Sequence, residues 1–470
     1  MTDRPNILFI SSDSMDGRAM GCTGHPAAHT PHMDRLAERG VLFTHTYCNS
    51  PQCCPSRASM WSGRYVHQEE AWNNHKGLEA GAPTFQSRLD ADGFRTHIVG
   101  KTDYLSGYHS LGARVTAWAD PAGMQVTGLA ARPQAVVVDE PHHDWKSIDA
   151  SLAWLDAHAL ESDAPFMLYC GLNLPHPPFR TTQEWLDVID PACVTVPPYE
   201  AEMHPVMDFI RVRKGCVGEF TDEELLAIRR TYYAMVAELD AMVGALVDRI
   251  DALGLTDSTY IIYISDHGDT NMEHRMHLKN SLYEGSARVP MMVAGPGIAP
   301  GGRVDALVSL VDIYPTLMDM AGLAHPEGLM GYSLMPELGG GANRERPDQV
   351  FSEYHSNFQN TSSFMLRRGD YKYIAYAGYE SQLFHLGEDP DEMHSLVDER
   401  PEVAAEMAAG LREILDHEEV AQKVVAYDRA AFRAWRDATD PVEYHEAMSR
   451  FYRGWGPEKE RIIEDWLARG

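Results

Sequence analysis

The stretch Thr259-Tyr260-Ile261-Ile262-Tyr263-Ile264-Ser265-Asp266-His267-Gly268 decides how the chain reads. Its first six residues are β-branched or aromatic without alternation, the pattern of a strand buried on both faces. Before it runs the helical pattern Thr221–Leu253, opened by the capping-box pair Thr221 and Glu224 and stopped by Gly254. Asn6–Ser12 is a second buried-strand run, Thr30–Arg39 a short helix, and Thr96–Gly100, Phe166–Leu172 and Val289–Ala294 further strands. Strand and helix thus alternate, which predicts a mostly parallel sheet with helices on both faces. Ligands on such sheets bind beyond the carboxyl ends of the strands. Asp13 and Asp266 each follow a strand directly, so both can reach one site.

At 470 residues the chain exceeds one ordinary hydrophobic core, which predicts a large domain and a smaller one. Gly339-Gly340-Gly341-Ala342-Asn343 is a flexible break, and the boundary is placed near residue 345. Residues 1–345 then form the catalytic domain and 346–470 a smaller α+β unit. In the latter, Met365–Ala375 and Gln382–Leu386 read as antiparallel strands, and Pro401–Asp416 and Pro457–Arg469 as helices.

The 44% hydrophobic and 23% charged fractions are those of an ordinary globular protein. No apolar run approaches the roughly 20 residues that span a bilayer. Met1–Pro5 leads directly into the first strand, without the layout of a signal peptide, so a cytoplasmic location is expected. Seven scattered cysteines, an odd number without framework spacing, fit a reducing compartment. The formal charge of −29 argues against nucleic acid and anionic membranes as partners. An anionic substrate would need a locally basic site within this acidic protein.

The most specific motif is Cys53-Cys54-Pro55-Ser56-Arg57, continuing to Ser62-Gly63-Arg64. It precedes a helix whose first amides favour a developing anion. The motif resembles the signature of the sulfatase family, in the alkaline phosphatase superfamily. That resemblance implies an alkaline-phosphatase-like α/β fold and sulfuric ester hydrolysis. It also implies one divalent metal and a Cys53 converted to formylglycine by a formylglycine-generating enzyme. The aldehyde hydrate offers one hydroxyl to attack sulfur and a second whose proton loss later expels sulfate.

The same resemblance assigns Asp13, Cys53, Asp266 and His267 as metal ligands. The family often has two adjacent acids where this chain reads Asp13-Ser14, which leaves fewer carboxylates. Oxygen ligands suit calcium, while the imidazole admits manganese or zinc. Arg57, Lys101, His176 and Lys279 fall in family patterns for catalytic residues. Where the family reads Gly-Lys-x-His, this chain has Asp103, and His109 downstream is taken as the substitute.

Other segments match a subgroup that removes 2-O-sulfate from glucuronate in glycosaminoglycans. They include Trp72-Asn73-Asn74-His75-Lys76-Gly77 and Val311-Asp312-Ile313-Tyr314-Pro315-Thr316. His75, Lys76 and Arg180 are accordingly expected to bind substrate, a small sulfate ester or short sulfated saccharide. Two alternatives stand beside this reading: a phosphonate monoester or phosphodiester hydrolase of the same superfamily, and a non-catalytic binder of sulfated glycans. A homo-oligomer remains open.

Overall fold

A computed structural model describes residues 4–107, 118, 131–200, 202–452 and 454–469. Its strands are β1 (Asn6–Asp13), β2 (Val41–Tyr47), β3 (Arg95–Gly100), β4 (Val136–Val138), β5 (Phe166–Pro175), β6 (Arg180–Thr182), β7 (Thr259–Ser265), β8 (Arg288–Ala294), β9 (Gly302–Ser309), β10 (Gln349–Tyr354), β11 (Ser363–Arg368), β12 (Tyr371–Tyr376) and β13 (Gln382–His385). Seven of them form one sheet in the order β3-β5-β1-β7-β8-β2-β9. All neighbours are parallel except around β8, which runs against both β7 and β2.

The apolar run of β1 serves two cores at once, because successive side chains leave a strand on opposite faces. Leu8 and Ile10 pack on one face, under the helices Pro31–Arg39, Trp145–His158 and Asp222–Ala252. Ile7 and Phe9 pack on the other, under the helices Cys53–Ser62 and Ile313–Met320. The capping box of the helix Asp222–Ala252 is formed: Thr221 Oγ1 accepts from the Glu224 amide at 3.2 Å, and Glu224 returns the bond at 2.9 Å. From this helix the Tyr232 hydroxyl donates to the Ser14 carbonyl and accepts from the Asp16 amide, each at 3.0 Å. The loop after β1 is thereby fixed from the helical layer.

Strands β10 to β13 form a second, wholly antiparallel sheet. Met365–Ala375, read as one strand, is a hairpin: β11 and β12 pair across a turn at Gly369-Asp370. The chain reverses at Gly369, whose φ of +54° suits glycine. The helices Pro401–Ile414, His417–Ala438, Pro441–Phe451 and Pro457–Ala468 complete the C-terminal part. The strands β2 and β9 and the helices Trp145–His158, His417–Ala438 and Pro441–Phe451 had no counterpart in the sequence reading. Among the described residues, no helix is long and apolar enough to cross a membrane.

The two sheets share a core through Tyr47, Leu307, Met365 and Ile374. They are also joined by a buried charge network. Lys372 Nζ, fully buried on β12, lies 2.9 Å from Glu284 and 2.8 Å from Glu392. Burial alone would raise the Glu284 carboxyl, but Lys372, Arg288 and Arg367 hold it far below its ordinary value. Lys372→Met should therefore destabilise the protein by about 3–5 kcal/mol, because two buried carboxylates lose their shared cation. Chemical denaturation is the measurement. A loss under ~1 kcal/mol would show that the network does not hold the two sheets together.

Candidate active site

Four neighbouring parallel strands end at one edge of the main sheet, and each delivers a chemically active residue there. Lys101 follows β3, His176 follows β5, Asp13 closes β1, and Asp266 and His267 follow β7. Glycine makes the first of these approaches possible. A Cβ on Gly100, whose φ is +77°, would meet the Gly171 carbonyl oxygen at 2.0 Å, and one on Gly171 would meet that of Lys101 at 1.9 Å. Cys53 arrives from the opposite direction as the first residue of the helix Cys53–Ser62, which Gly63 ends in the left-handed conformation.

Asp13, Asp266 and His267 have no solvent exposure, and Cys53 is 3% exposed. One donor atom from each of the four lies within 4.8 Å of the others. Cys53 Sγ is 3.3 Å from His267 Nε2, and Asp13 Oδ1 is 3.5 Å from the same nitrogen. His267 Nδ1 is 3.0 Å from the Gly268 carbonyl, which can only accept. In the neutral ring that bond fixes the proton on Nδ1 and leaves the Nε2 lone pair on the side of the carboxylates. Two carboxylates, an imidazole lone pair and one further donor fit a divalent cation.

Cations surround this group. Arg57 Nε donates to Asp266 Oδ2 at 2.7 Å, and its other nitrogens reach the Tyr169 hydroxyl at 2.9 Å, the Ser12 carbonyl at 3.2 Å and the Lys101 carbonyl at 3.3 Å. Lys101 Nζ lies 2.6 Å from Asp13 and 3.2 Å from Asp103. Lys279 Nζ lies 2.5 Å from His176 Nε2, while His176 Nδ1 bonds the Pro177 carbonyl at 2.6 Å. Burial would raise the Asp13 carboxyl, yet Lys101, His176, His267 and Lys279 hold it well below its ordinary value. Burial and Asp13 would raise the Cys53 thiol, yet Lys101, Lys279 and His267 bring it well below. Cys54, one residue on, is raised by burial and by Asp103 and behaves as an inert thiol. Burial raises Asp266 in spite of Arg57, and Asp13 pushes the same way.

The remaining expected residues divide. His75 and Lys76 stand on a loop packed against the Cys53 helix: Asn74 Oδ1 accepts from the Cys54 amide at 3.1 Å. Asn73 Oδ1 accepts from the amides of both His75 and Lys76 at 2.9 Å. The His75 ring meets Trp118 edge-on, and Lys76 pairs with Glu79. Arg180 is not brought to the cluster. It is exposed on β6 and lines a separate cavity with His142, His143 and Glu238, because β6 turns away to pair with β4. His109 lies outside the described residues. Asp103, in the place where the family pattern has histidine, is buried beside Lys101.

Sequence reasoning missed three supporting contacts. The Ser56 hydroxyl donates to the Asp266 carbonyl at 2.5 Å, Tyr169 holds Arg57, and Gln52 Nε2 donates to Asn357 Oδ1 at 2.7 Å. Ser56 stands in the motif itself and was open to notice. Tyr169 reads as a core aromatic and Asn357 as a loop residue, with no signal for either role.

The chain belongs to the sulfatase family, whose model matches residues 5–323. A second model, N-sulphoglucosamine sulphohydrolase, C-terminal, matches residues 272–420. Arylsulfatase K of Bos taurus is 39% identical, over 99% of this chain and 92% of the bovine protein. Two solved structures share the fold. The phosphonate monoester hydrolase of Agrobacterium radiobacter has a TM-score of 0.72 at 24% identity, over 87% of this chain and 96% of its own. A 2-O glycosaminoglycan sulfatase has a TM-score of 0.70 at 23% identity, over 97% of this chain and 100% of its own. The protein is thus a sulfatase, an enzyme that hydrolyses sulfate esters, on an alkaline-phosphatase-like fold. The family carries a divalent metal and formylglycine.

Asp266→Asn tests the donor set. The variant should lose most of its bound divalent metal by elemental analysis. It should also be less stable by about 3–5 kcal/mol, because Arg57 stays buried without its partner. Stoichiometric metal in the folded variant would remove Asp266 from the ligand set.

Proposed function

We propose that the protein removes sulfate from 2-O-sulfated uronates, as small esters or within short saccharides, with Cys53 in its formylglycine form. The observation that carries this reading is the four-strand edge, where the clustered donors lie beside a pair of lysines, together with the 39% identity to arylsulfatase K.

When present, the metal supplies a Lewis acid at a sulfate oxygen, and the hydrated aldehyde supplies the attacking hydroxyl. Asp13, Asp266, His267 Nε2 and the modified Cys53 would hold the metal. Calcium suits the carboxylates best, with manganese or zinc admitted by the imidazole. Lys101 offsets the charge of Asp13 and leaves the site basic enough to hold an anion. The His176–Lys279 pair faces the leaving-group oxygen, steadies the negative charge that grows there and delivers a proton to it. Donors aimed at such charge contribute roughly 2.7–4 kcal/mol each. Arg57 touches no substrate in this account; it orients Asp266 and the nucleophile's helix.

A uronate carries a carboxylate beside its sulfate, so its pocket needs a further cation. Lys76 and His75, on the Asn73-bonded loop that Asn74 ties to the Cys54 amide, are assigned that role. Lys76→Ala or His75→Ala should lower kcat/KM for 2-sulfoglucuronate at least tenfold, about 1.4 kcal/mol, while sparing a simple aryl sulfate. Equal losses on both substrates, or no loss on either, would exclude these residues from the pocket.

Mass spectrometry of the peptide containing Cys53 should show the aldehyde in active preparations. Cys53→Ala should fold and be inactive. If aryl phosphonates are hydrolysed faster than every sulfate ester tried, the phosphonate reading takes precedence.

A further inference from the structure

Between residues 355–362, which follow β10, and the helix His417–Ala438 lies a cavity of about 560 Å³. Its size falls in the range of about 300–1,000 Å³ of small-molecule sites. Three buried polar atoms on its walls lack a hydrogen-bond partner among the described residues: His355 Nδ1, Asn360 Oδ1 and Arg429 Nε. The rest of each side chain is fixed. His355, 3% exposed, bonds Glu353 through Nε2 at 2.8 Å. Burial would raise that carboxyl, but His67 and His355 hold it at about 2, so it only accepts. In the neutral ring the His355 proton therefore sits on Nε2, which leaves an Nδ1 lone pair on a residue that lines the cavity. Asn360 Nδ2 is spent on the Tyr379 hydroxyl at 2.8 Å, and its Oδ1 is the atom left to accept. Arg429 lies over the Trp466 ring at 5.7 Å, and Arg433, one turn on, donates to the Leu467 carbonyl at 2.5 Å.

Unsatisfied buried polar atoms cost free energy, and their chemistry describes the partner that would relieve it. Two acceptors call for hydroxyl donors. Two arginines against the single lining carboxylate of Glu418 leave a net positive charge, which calls for an anionic group. The alanine and valine side chains between them, Val425 among these, suit an apolar C–H face. A ring bearing hydroxyls and one carboxylate or sulfate satisfies all three requirements.

The cavity is joined to the catalytic site by the segment that forms its wall. Asn357 accepts from Gln52, the residue before Cys53. The Tyr354 hydroxyl accepts from Asn280, next to Lys279, at 2.8 Å. Trp72, at the start of the His75-Lys76 loop, meets the His355 ring edge-on at 5.5 Å.

We propose that this cavity is a second saccharide subsite, which takes an acidic sugar residue of the substrate chain remote from the sulfate that is cleaved. The inference rests on the saccharide reading given above. Three substrates test it in wild type and in the Arg429→Gln/Arg433→Gln variant: an aryl sulfate, 2-sulfoglucuronate, and a tetrasaccharide ending in 2-sulfoglucuronate with further uronates. The variant should lose about tenfold in kcat/KM on the tetrasaccharide alone, through KM. Equal losses on all three, or none on the tetrasaccharide, would overturn the subsite. If that variant does not fold, Val425→Trp, which fills the cavity, should give the same selective loss, and its absence there overturns the proposal. Failure of the saccharide reading looks different: wild type would turn over aryl sulfate only. An unsulfated glucuronate tetrasaccharide then probes the cavity by calorimetry. Binding in wild type that weakens in the variant upholds the subsite, and no binding in wild type ends it.

Discussion

One guanidinium ties together four neighbouring strands. Arg57 bonds Ser12 of β1, Tyr169 of β5, the Lys101 carbonyl after β3 and Asp266 after β7, and it does so without solvent exposure. The site depends on this because it keeps two carboxylates, Asp13 and Asp266, away from water at the same edge. Burying an ion costs several kcal/mol even after relaxation, and a second like charge nearby adds repulsion. Arg57 offsets the first cost at Asp266, and Lys101 does so at Asp13. Lysine would not replace Arg57, because a single ammonium cannot span acceptors in several directions in one plane. The signature's arginine is thus as much a structural fastener as a catalytic accessory.

The chain's net charge of −29 and its basic site are compatible because fields decay over about 10 Å in physiological salt. Within the site, Lys101, Lys279 and Arg57 act at hydrogen-bond distance in a dry environment, where charge counts most. The acidic exterior acts farther out, and it disfavours long polyanions more than short esters.

Much of the main sheet was legible in the sequence. Unbroken apolar runs such as Thr259–Ser265 can hardly be anything but a buried strand, and the capping box at Thr221 marks its helix unambiguously. Asp13 and Asp266 could be named because each follows a strand, Cys53 and His267 because they fall in a family pattern, and the structure brings the four together. What escaped was set by contacts distant in sequence. Strand β2 was missed because its apolar run Val41-Leu42-Phe43 is only three residues long before Thr44-His45-Thr46 interrupts it. The hairpin at Gly369 was read through although Gly369-Asp370 carries turn residues, because the apolar and aromatic residues on either side were joined into one run. Arg180 was misplaced because the two prolines and Phe179 after His176 redirect the chain onto β6, a turn that sequence proximity does not reveal.

The 3% exposure of Cys53 also sets an order in time. The thiol lies in the first turn of a helix, walled by Asp13 and His267 and backed by the Gln52–Asn357 bond to the second sheet. That bond joins residues 305 positions apart, so it exists only once the C-terminal part has been made and docked. A macromolecular catalyst needs the thiol in an extended, accessible segment, which the finished fold does not offer. Any enzymatic change to this residue must therefore precede the arrival of the second sheet. A chain that folds first is locked into the form it has, native in shape and without its nucleophile.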